Sequence, residues 1–128
     1  MNDVPTPVLL LVEDDEVSRK LIRAVLGSKG YEIREADTME SARRILNEMR
    51  PAAVLLDMRL KDGDGLDLAR YIRAAPRLSQ VPIIAITAQA LKGDEQRILE
   101  AGCDTYLSKP IDTRALPRVV DGFVQKGR

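Results

Sequence analysis

Five short apolar runs alternate along the chain with segments of helical periodicity, and this alternation constrains the fold more than any other feature. Alternating strand and helix signals are typical of a parallel sheet covered by helices on both faces, a doubly wound α/β fold. The runs are largely continuous in hydrophobicity, which indicates strands buried on both faces. The predicted strands comprise residues 8–13, 31–36, 53–56, 82–86 and 105–108.

The segments between the apolar runs carry the signals of amphipathic helices. In the first segment apolar residues recur at helical spacing and stop near Gly27 and Gly30. Asp37 or Thr38 can cap a second helix, which must end before Pro51 because the residue preceding a proline avoids the helical conformation. The last three helices are predicted at about 66–74, at about 91–102, and around an apolar stripe of Leu116, Val119, Val120 and Phe123.

Length and charge limit the classes of function. A chain of 128 residues fits one compact domain, which we place at residues 1–128 with a core of about 8–124. Twenty basic residues balance twenty acidic ones, so no overall positive charge would draw the chain to nucleic acid or an anionic membrane. No apolar run approaches the roughly 20 residues that span a bilayer. We therefore expect neither a membrane partner nor a DNA-binding domain in this chain.

The chain contains no histidine and a single cysteine, Cys103. This composition argues against a zinc site and against a nucleophile paired with histidine. Hard oxygen ligands remain for metal chemistry. Because one cysteine cannot form an internal disulfide and no signal-peptide pattern is present, we expect a reducing, cytoplasmic setting. Cys103 itself is interpreted as a small packed residue near a helix terminus.

Carboxylates follow two of the predicted strands at the point where each strand ends. Glu13 and Asp14 come after the first strand, and Asp57 closes the third. The ends of neighbouring parallel strands lie about 4.8 Å apart, and ligands bind outside their carboxyl ends. Three carboxylates at about 5 Å would repel one another by about 3 kcal/mol per pair at an effective dielectric constant of about 20. A cation must compensate them.

Each acid also has an ordinary structural explanation, since acidic residues after a strand often cap the next helix. Asp57 favours a metal site over this explanation, because one acid in each loop suffices for capping. Magnesium fits best, as it prefers octahedral oxygen ligands from one or two carboxylates, waters and phosphate groups. A phosphate-binding loop at this place would need glycines, and the sequence has Glu-Asp-Asp-Glu at residues 13–16 instead.

Two further polar residues follow predicted strands and should reach the same edge of the sheet. Thr87 follows the fourth strand and Lys109 follows the fifth. Taken singly, a threonine there is usually a turn residue and a lysine a solvated charge. Together with the acids they provide a hydroxyl donor and an ammonium group around one spot, a set suited to neutralising a transferred phosphoryl group.

Five short motifs occur in register along the chain. They are Val-Glu-Asp-Asp at 12–15, Leu-Leu-Asp-Met-Arg-Leu at 55–60, Gly63 and Gly65, Ile-Thr-Ala at 86–88, and Tyr-Leu-Ser-Lys-Pro at 106–110. On these motifs the chain resembles a response-regulator receiver domain of the chemotaxis-regulator-like (CheY-like, flavodoxin-like) fold. The similarity covers about residues 8–123 and is especially marked toward the single-domain cell-cycle regulators of the DivK type. It implies a (βα)5 three-layer sandwich with a parallel sheet of strand order 2-1-3-4-5.

The resemblance implies a role for each site residue. Asp57 would be the phosphoacceptor. Asp14, Asp57 and the backbone carbonyl of Arg59 would bind Mg²⁺, with Glu13 completing the acidic pocket. The remaining implied roles are phosphoryl contacts from Thr87, Ala88 and Lys109, and a conformational switch formed by Thr87 and Tyr106.

Some positions differ from the commonest pattern of the family. Glu13 replaces a frequent aspartate and is one methylene longer, so its contact with the metal can run through water. Residues 60 and 62 are Leu and Asp, where the family often has a Leu-Pro pair followed by a small residue. We therefore expect a more mobile loop at 61–65. The Lys109–Pro110 peptide bond is expected to be cis, as in about 5 to 6% of X-Pro bonds in folded proteins.

The implied function is a phosphorelay switch rather than an enzyme. Because the chain has no histidine, the donor must be another protein, a sensor histidine kinase or a histidine phosphotransfer protein. Phosphorylation would change the surface formed by the fourth helix, fifth strand and fifth helix, where a downstream target would bind. A monomer or a phosphorylation-dependent dimer is compatible with this function.

Two other functions would use part of the same set of residues. A phosphatase of the haloacid-dehalogenase type also uses an aspartate nucleophile and magnesium, but it needs a second aspartate two residues later, where this chain has Arg59. A receiver-like domain used only for protein binding would not need the acid, hydroxyl and lysine set. Both alternatives therefore rank below the phosphorelay switch.

Overall fold

A computed structural model describes residues 6–88 and 94–126 of the chain. Its centre is a parallel sheet with the spatial order β2-β1-β3-β4-β5. This order confirms the predicted doubly wound (βα)5 architecture. The strands are β1 Val8–Val12, β2 Glu32–Ala36, β3 Ala53–Asp57, β4 Ile83–Thr87 and β5 Thr105–Ser108.

Helices cover both faces of the sheet. Alternate residues of β1 enter two hydrophobic cores, Leu10 and Val12 facing α2, α3 and α4, and Leu9 and Leu11 facing α1 and α5. The predicted start of the fourth helix at Leu91 lies outside the described residues. The helices are α1 Glu16–Gly27, α2 Met39–Glu48, α3 Gly65–Ala74, α4 Asp94–Glu100 and α5 Ala115–Lys126.

The expectation that the strands are buried on both faces is correct for the three inner strands and wrong for the two edge strands, β2 and β5. Every residue of β3 and β4 is buried, and so are the last four residues of β1. In β2, Glu32 and Arg34 are exposed because only one neighbour covers this strand. Its sequence alternates polar and apolar residues, as expected for a partly solvated strand.

The helix termini follow local capping signals. Asp15 caps α1 by accepting a hydrogen bond from the Ser18 N–H at 3.0 Å. Of the two candidate caps for α2, the structure selects Thr38, whose hydroxyl accepts from the Ser41 N–H at 3.0 Å. The helix ends at Glu48, before Pro51 as expected. Among the described residues, no helix is long and apolar enough to cross a membrane.

A two-stranded hairpin follows β3, pairing Arg59–Leu60 with Gly63–Asp64. We call residues 59–64 the hairpin. The segment expected to be a more mobile loop thus has a regular structure, and Gly65 follows it closely. A Cβ atom at Gly65 would lie 2.1 Å from the Asp57 carbonyl oxygen, so only glycine allows this approach.

Arg73 connects three segments at the end of the sheet opposite the acidic residues. Its guanidinium group donates to the carbonyl oxygens of Gly102 at 2.8 Å and Val81 at 2.7 Å, and pairs with the Asp104 carboxylate at 2.9 Å. Asp104 also accepts from the Ile83 N–H at 2.8 Å. The Arg73–Asp104 pair is largely buried. Losing one partner would leave buried polar groups unpaired.

Cys103 is a packed residue, as expected. Its side chain is 4% exposed, and burial raises the pKa of its thiol to about 12. The residue therefore stays a neutral thiol at physiological pH, and thiolate chemistry is disfavoured.

We expect Arg73→Ala to lower the free energy of unfolding by about 3 kcal/mol, because it breaks a largely buried, hydrogen-bonded ion pair. Arg70→Ala is the matched control, since Arg70 pairs with Asp67 at an exposed position and should cost at most about 0.5 kcal/mol. Urea denaturation followed by circular dichroism measures both values. Equal losses for the two variants would contradict the role assigned to Arg73.

Candidate functional site

An open cleft of about 900 Å³ lies at the carboxyl end of the sheet. The ends of β3 and β4 and the loops after β1 and β5 contribute polar residues to it. Glu13 lies next to this cleft and is completely buried. The predicted site residues that line the cleft are Asp14, Asp57, Arg59, Thr87, Ala88 and Lys109.

The three predicted acids converge. Glu13, Asp14 and Asp57 each place a carboxylate oxygen within 4.8 Å of the other two. The connection from β1 to α1 supplies two of them, because the chain leaves the sheet at Val12 and enters the helix only at Glu16. The register of the central strands pairs Val12 with Leu56, so both strands end at the same level. This convergence was expected from the sequence.

Lys109 places a positive charge beside two of the acids. Its Nζ lies 2.7 Å from Glu13 Oε1 and 3.6 Å from Asp57 Oδ2. The backbone N–H of Lys109 donates to the Thr87 carbonyl at 2.8 Å, which fixes the start of the side chain beside β4. Burial opposes the charge of the ammonium group, but the ion pairs with both carboxylates outweigh it and raise the pKa of Lys109. The lysine therefore stays charged.

The surroundings of Asp57 change the acidity of its carboxyl group. Asp57 is only 6% exposed, and its Oδ1 accepts a hydrogen bond from the Arg59 N–H at 3.2 Å. Burial, followed by the adjoining Glu13 side chain, raises the pKa of the Asp57 carboxyl to about 7. A carboxylate in this position gains from a nearby cation.

The donor set fits a hard divalent cation. Carboxylate oxygens at mutual distances below 4.8 Å are the ligands that Mg²⁺ prefers, with water completing an octahedron. Asp14 is half-buried and Asp57 lines the same cleft, so both have access to it. Glu13 is engaged by Lys109 at 2.7 Å. That Glu13 contacts the metal through water stays a prediction.

Thr87 and Tyr106 belong to the same face of the sheet. Ala85 pairs with Tyr106 in the register of β4 and β5, and both residues contact the core shared with α2, α3 and α4. Thr87 lies two residues after Ala85, so it points to that same face. Thr87 is buried, Tyr106 is half-buried and Ala88 is exposed at the cleft. The Lys109–Pro110 peptide bond is cis, as expected.

The sequence did not reveal two residues that support the site. Arg19 donates to the Glu13 carbonyl at 3.1 Å and lies 3.4 Å from the Glu35 carboxylate, which ties the acidic loop to β2. Asp62 accepts hydrogen bonds from the first residues of α2. No short sequence motif predicts either contact. Arg19 reaches Glu13 across the first turn of α1, and Asp62 is distant in the sequence from the start of α2. For Asp62, the sequence showed only that this position differs from the common family pattern.

Several known proteins are similar to this chain over most of its length. The chain is 39% identical over 114 residues to the polar-differentiation response regulator DivK of Brucella anthropi, covering 88% of this chain and 89% of that protein. A crystal structure of a putative response regulator from Chloroflexus aurantiacus superposes with a TM-score of 0.91 at 30% identity, covering 94% of this chain and 99% of the other.

A third similar structure contains a metal ion. It is the receiver domain of a sensor histidine kinase from Pseudomonas aeruginosa, with magnesium coordinated in its active-site cleft. The TM-score is 0.87 at 38% identity, covering 94% of this chain and 99% of that one. The family model of the response regulator receiver domain matches residues 9–121. The chain therefore belongs to the response-regulator receiver domain family.

Proposed function

We propose that this chain is a phosphorelay receiver in which Asp57 accepts a phosphoryl group with the help of Mg²⁺ and thereby changes a partner-binding surface. The observation that carries the proposal is the contact of the Lys109 ammonium group with both Glu13 and Asp57, at 2.7 and 3.6 Å. It places a cation between the buried Glu13 carboxylate and the Asp57 carboxylate, which lines the cleft. Family membership supports the same function.

Each side chain of the site would have a separate role in the phosphoryl transfer. An Asp57 oxygen attacks phosphorus in line, the bond from phosphorus to the donor imidazole breaks, and its electron pair returns to the imidazole nitrogen. Bound Mg²⁺, held by Asp14, Asp57 and the Arg59 carbonyl, would supply charge neutralisation for the phosphoryl oxygens. The Lys109 ammonium, the Thr87 hydroxyl and the Ala88 N–H would each donate to a phosphoryl oxygen.

The phosphoryl donor is a phosphohistidine on another protein. The chain has no histidine, so a sensor histidine kinase or a histidine phosphotransfer protein must supply the group. The resulting acyl phosphate would later be lost by slow hydrolysis on the chain itself. Receiver domains act as signalling switches, and the chain would share that role in a cytoplasmic setting, as a monomer or as a dimer formed on phosphorylation.

The output would come from the α4-β5-α5 face, the surface of residues 94–100, 105–108 and 115–126. Thr87 would move toward the new phosphoryl oxygens, and Tyr106 on the same face of the sheet would turn into the space that it leaves. Shifting such an equilibrium from 1:99 to 99:1 takes about 5.5 kcal/mol. Charge-assisted hydrogen bonds contribute about 1.5 to 3 kcal/mol each, so about two to four suffice.

We expect Asp57→Asn to abolish incorporation of acid-labile phosphate from a phosphorylated histidine phosphotransfer protein, because an amide is not an effective nucleophile toward phosphorus. Asp67→Asn makes the same chemical change at an exposed position of α3 and should be labelled at the native rate. Intact-protein mass spectrometry measures both. Native-like labelling of Asp57→Asn would show that the phosphoacceptor is misassigned.

We also expect beryllofluoride with Mg²⁺, which stands in for the phosphoryl group on Asp57, to shift the NMR signals of Thr87, Tyr106 and α4. In Thr87→Ala the signals of Asp57 should still respond, whereas those of the Tyr106 ring should move much less. Two-dimensional spectra of both proteins make the comparison. An unchanged Tyr106 in the native chain would count against the switch.

A further inference from the structure

Asp62 joins the hairpin after β3 to the beginning of α2. It lies in the turn between the paired residues Leu60 and Gly63. Its Oδ1 accepts from the Met39 N–H at 2.9 Å and its Oδ2 from the Glu40 N–H at 3.2 Å. Because a carboxylate at a helix N-terminus also interacts favourably with the helix dipole, this contact is a tertiary helix cap.

The contact completes the hydrogen bonding of the α2 N-terminus. The first N–H groups of a helix lack partners within it. Here Thr38 and Ser41 satisfy each other locally, through the Thr38 N–H to Ser41 Oγ at 3.2 Å and the Ser41 N–H to Thr38 Oγ1 at 3.0 Å. The two N–H groups between them, those of Met39 and Glu40, bind Asp62. The N-terminus of α2 is therefore capped by residues of two segments, its own first turn and the hairpin.

The hairpin and α2 also approach each other closely. Gly63 has a φ of +153°, and a Cβ atom added to it would lie 2.9 Å from the Met39 sulfur. A glycine at this position allows the backbone of the hairpin to pack against the start of the helix. The position of the hairpin tip is thus determined by two hydrogen bonds and a close packing contact.

The other end of the hairpin belongs to the phosphoacceptor site. The Arg59 N–H donates to Asp57 Oδ1 at 3.2 Å, and Arg59 pairs with Asp64 across the hairpin. The Gly65 N–H donates to the Met58 carbonyl at 2.8 Å, which closes the loop at its base. A displacement of the tip would therefore be transmitted to the backbone of Arg59.

We propose that Asp62 is a positioning residue for the metal site, which clamps the hairpin to the N-terminus of α2 and so holds the Arg59 backbone in place beside Asp57. The inference rests on the proposed function, which assigns the Arg59 carbonyl to Mg²⁺. Partners that orient metal ligands typically change metal affinity by about 10-fold or more when removed.

The test compares Asp62→Ala with two controls in the full chain. Thr38→Ala removes a cap from the same helix without touching the hairpin, and Asp67→Asn removes a nearby negative charge from an exposed side chain. Titration with Mg²⁺, followed through the NMR signals of Asp57 and Arg59, gives the dissociation constant of each protein. Amide hydrogen exchange of Arg59 and Gly65 without metal gives an independent readout.

We expect the Mg²⁺ dissociation constant of Asp62→Ala to rise about 10-fold, and the amides of Arg59 and Gly65 to exchange faster without metal. Asp62→Asn, which keeps one acceptor oxygen, should be intermediate and serves if the alanine variant folds poorly. Both controls should bind Mg²⁺ as the native chain does. Native affinity in the Asp62 variants, or an equal loss in Thr38→Ala, would overturn the inference. A native chain that binds no Mg²⁺ would instead overturn the proposed function, and the inference with it.

Discussion

The ion pair between Lys109 and the acidic pocket is the interaction on which the rest of the site depends. Glu13 is completely buried, and its Oε1 lies 2.7 Å from the Lys109 Nζ. An uncompensated buried carboxylate would cost several kcal/mol. One ammonium group cannot balance three carboxylates, so the pocket retains an excess of negative charge. Burial, followed by the adjoining Glu13 side chain, raises the pKa of Asp57, and a divalent cation bound beside it would favour the charged carboxylate.

The parallel sheet explains how a short chain concentrates so much charge in one place. Each of its inner strands is buried along its length and releases its polar residues only at its carboxyl end. Two hydrophobic cores, one on each face of the sheet, stabilise the fold and offset the repulsion between the acids. The site occupies the edge where the helices leave a cleft, and α4 lies beside it.

The sequence predicted the parts of the fold that depend on local pattern. Inner strands, helix ends and the convergence of Asp14, Asp57 and Lys109 all follow from apolar runs and from where each run stops. The exposure of Glu32 and Arg34 in β2 contradicts the expected burial, although the implied strand order 2-1-3-4-5 already leaves β2 with a single neighbour. The contacts of Arg19 and Asp62 were missed for a different reason. Each joins two segments whose proximity exists only after the chain has folded.

The most direct test of this account is a crystal structure of the chain with Mg²⁺ and beryllofluoride. We predict beryllium on an Asp57 oxygen, Mg²⁺ bound by Asp14, Asp57 and the Arg59 carbonyl, and the Lys109 ammonium within hydrogen-bonding distance of a fluorine atom. Lys109 would then have exchanged part of its contact with the acids for the phosphoryl mimic. Beryllofluoride bound elsewhere, or Lys109 turned away from the cleft, would contradict the central claim.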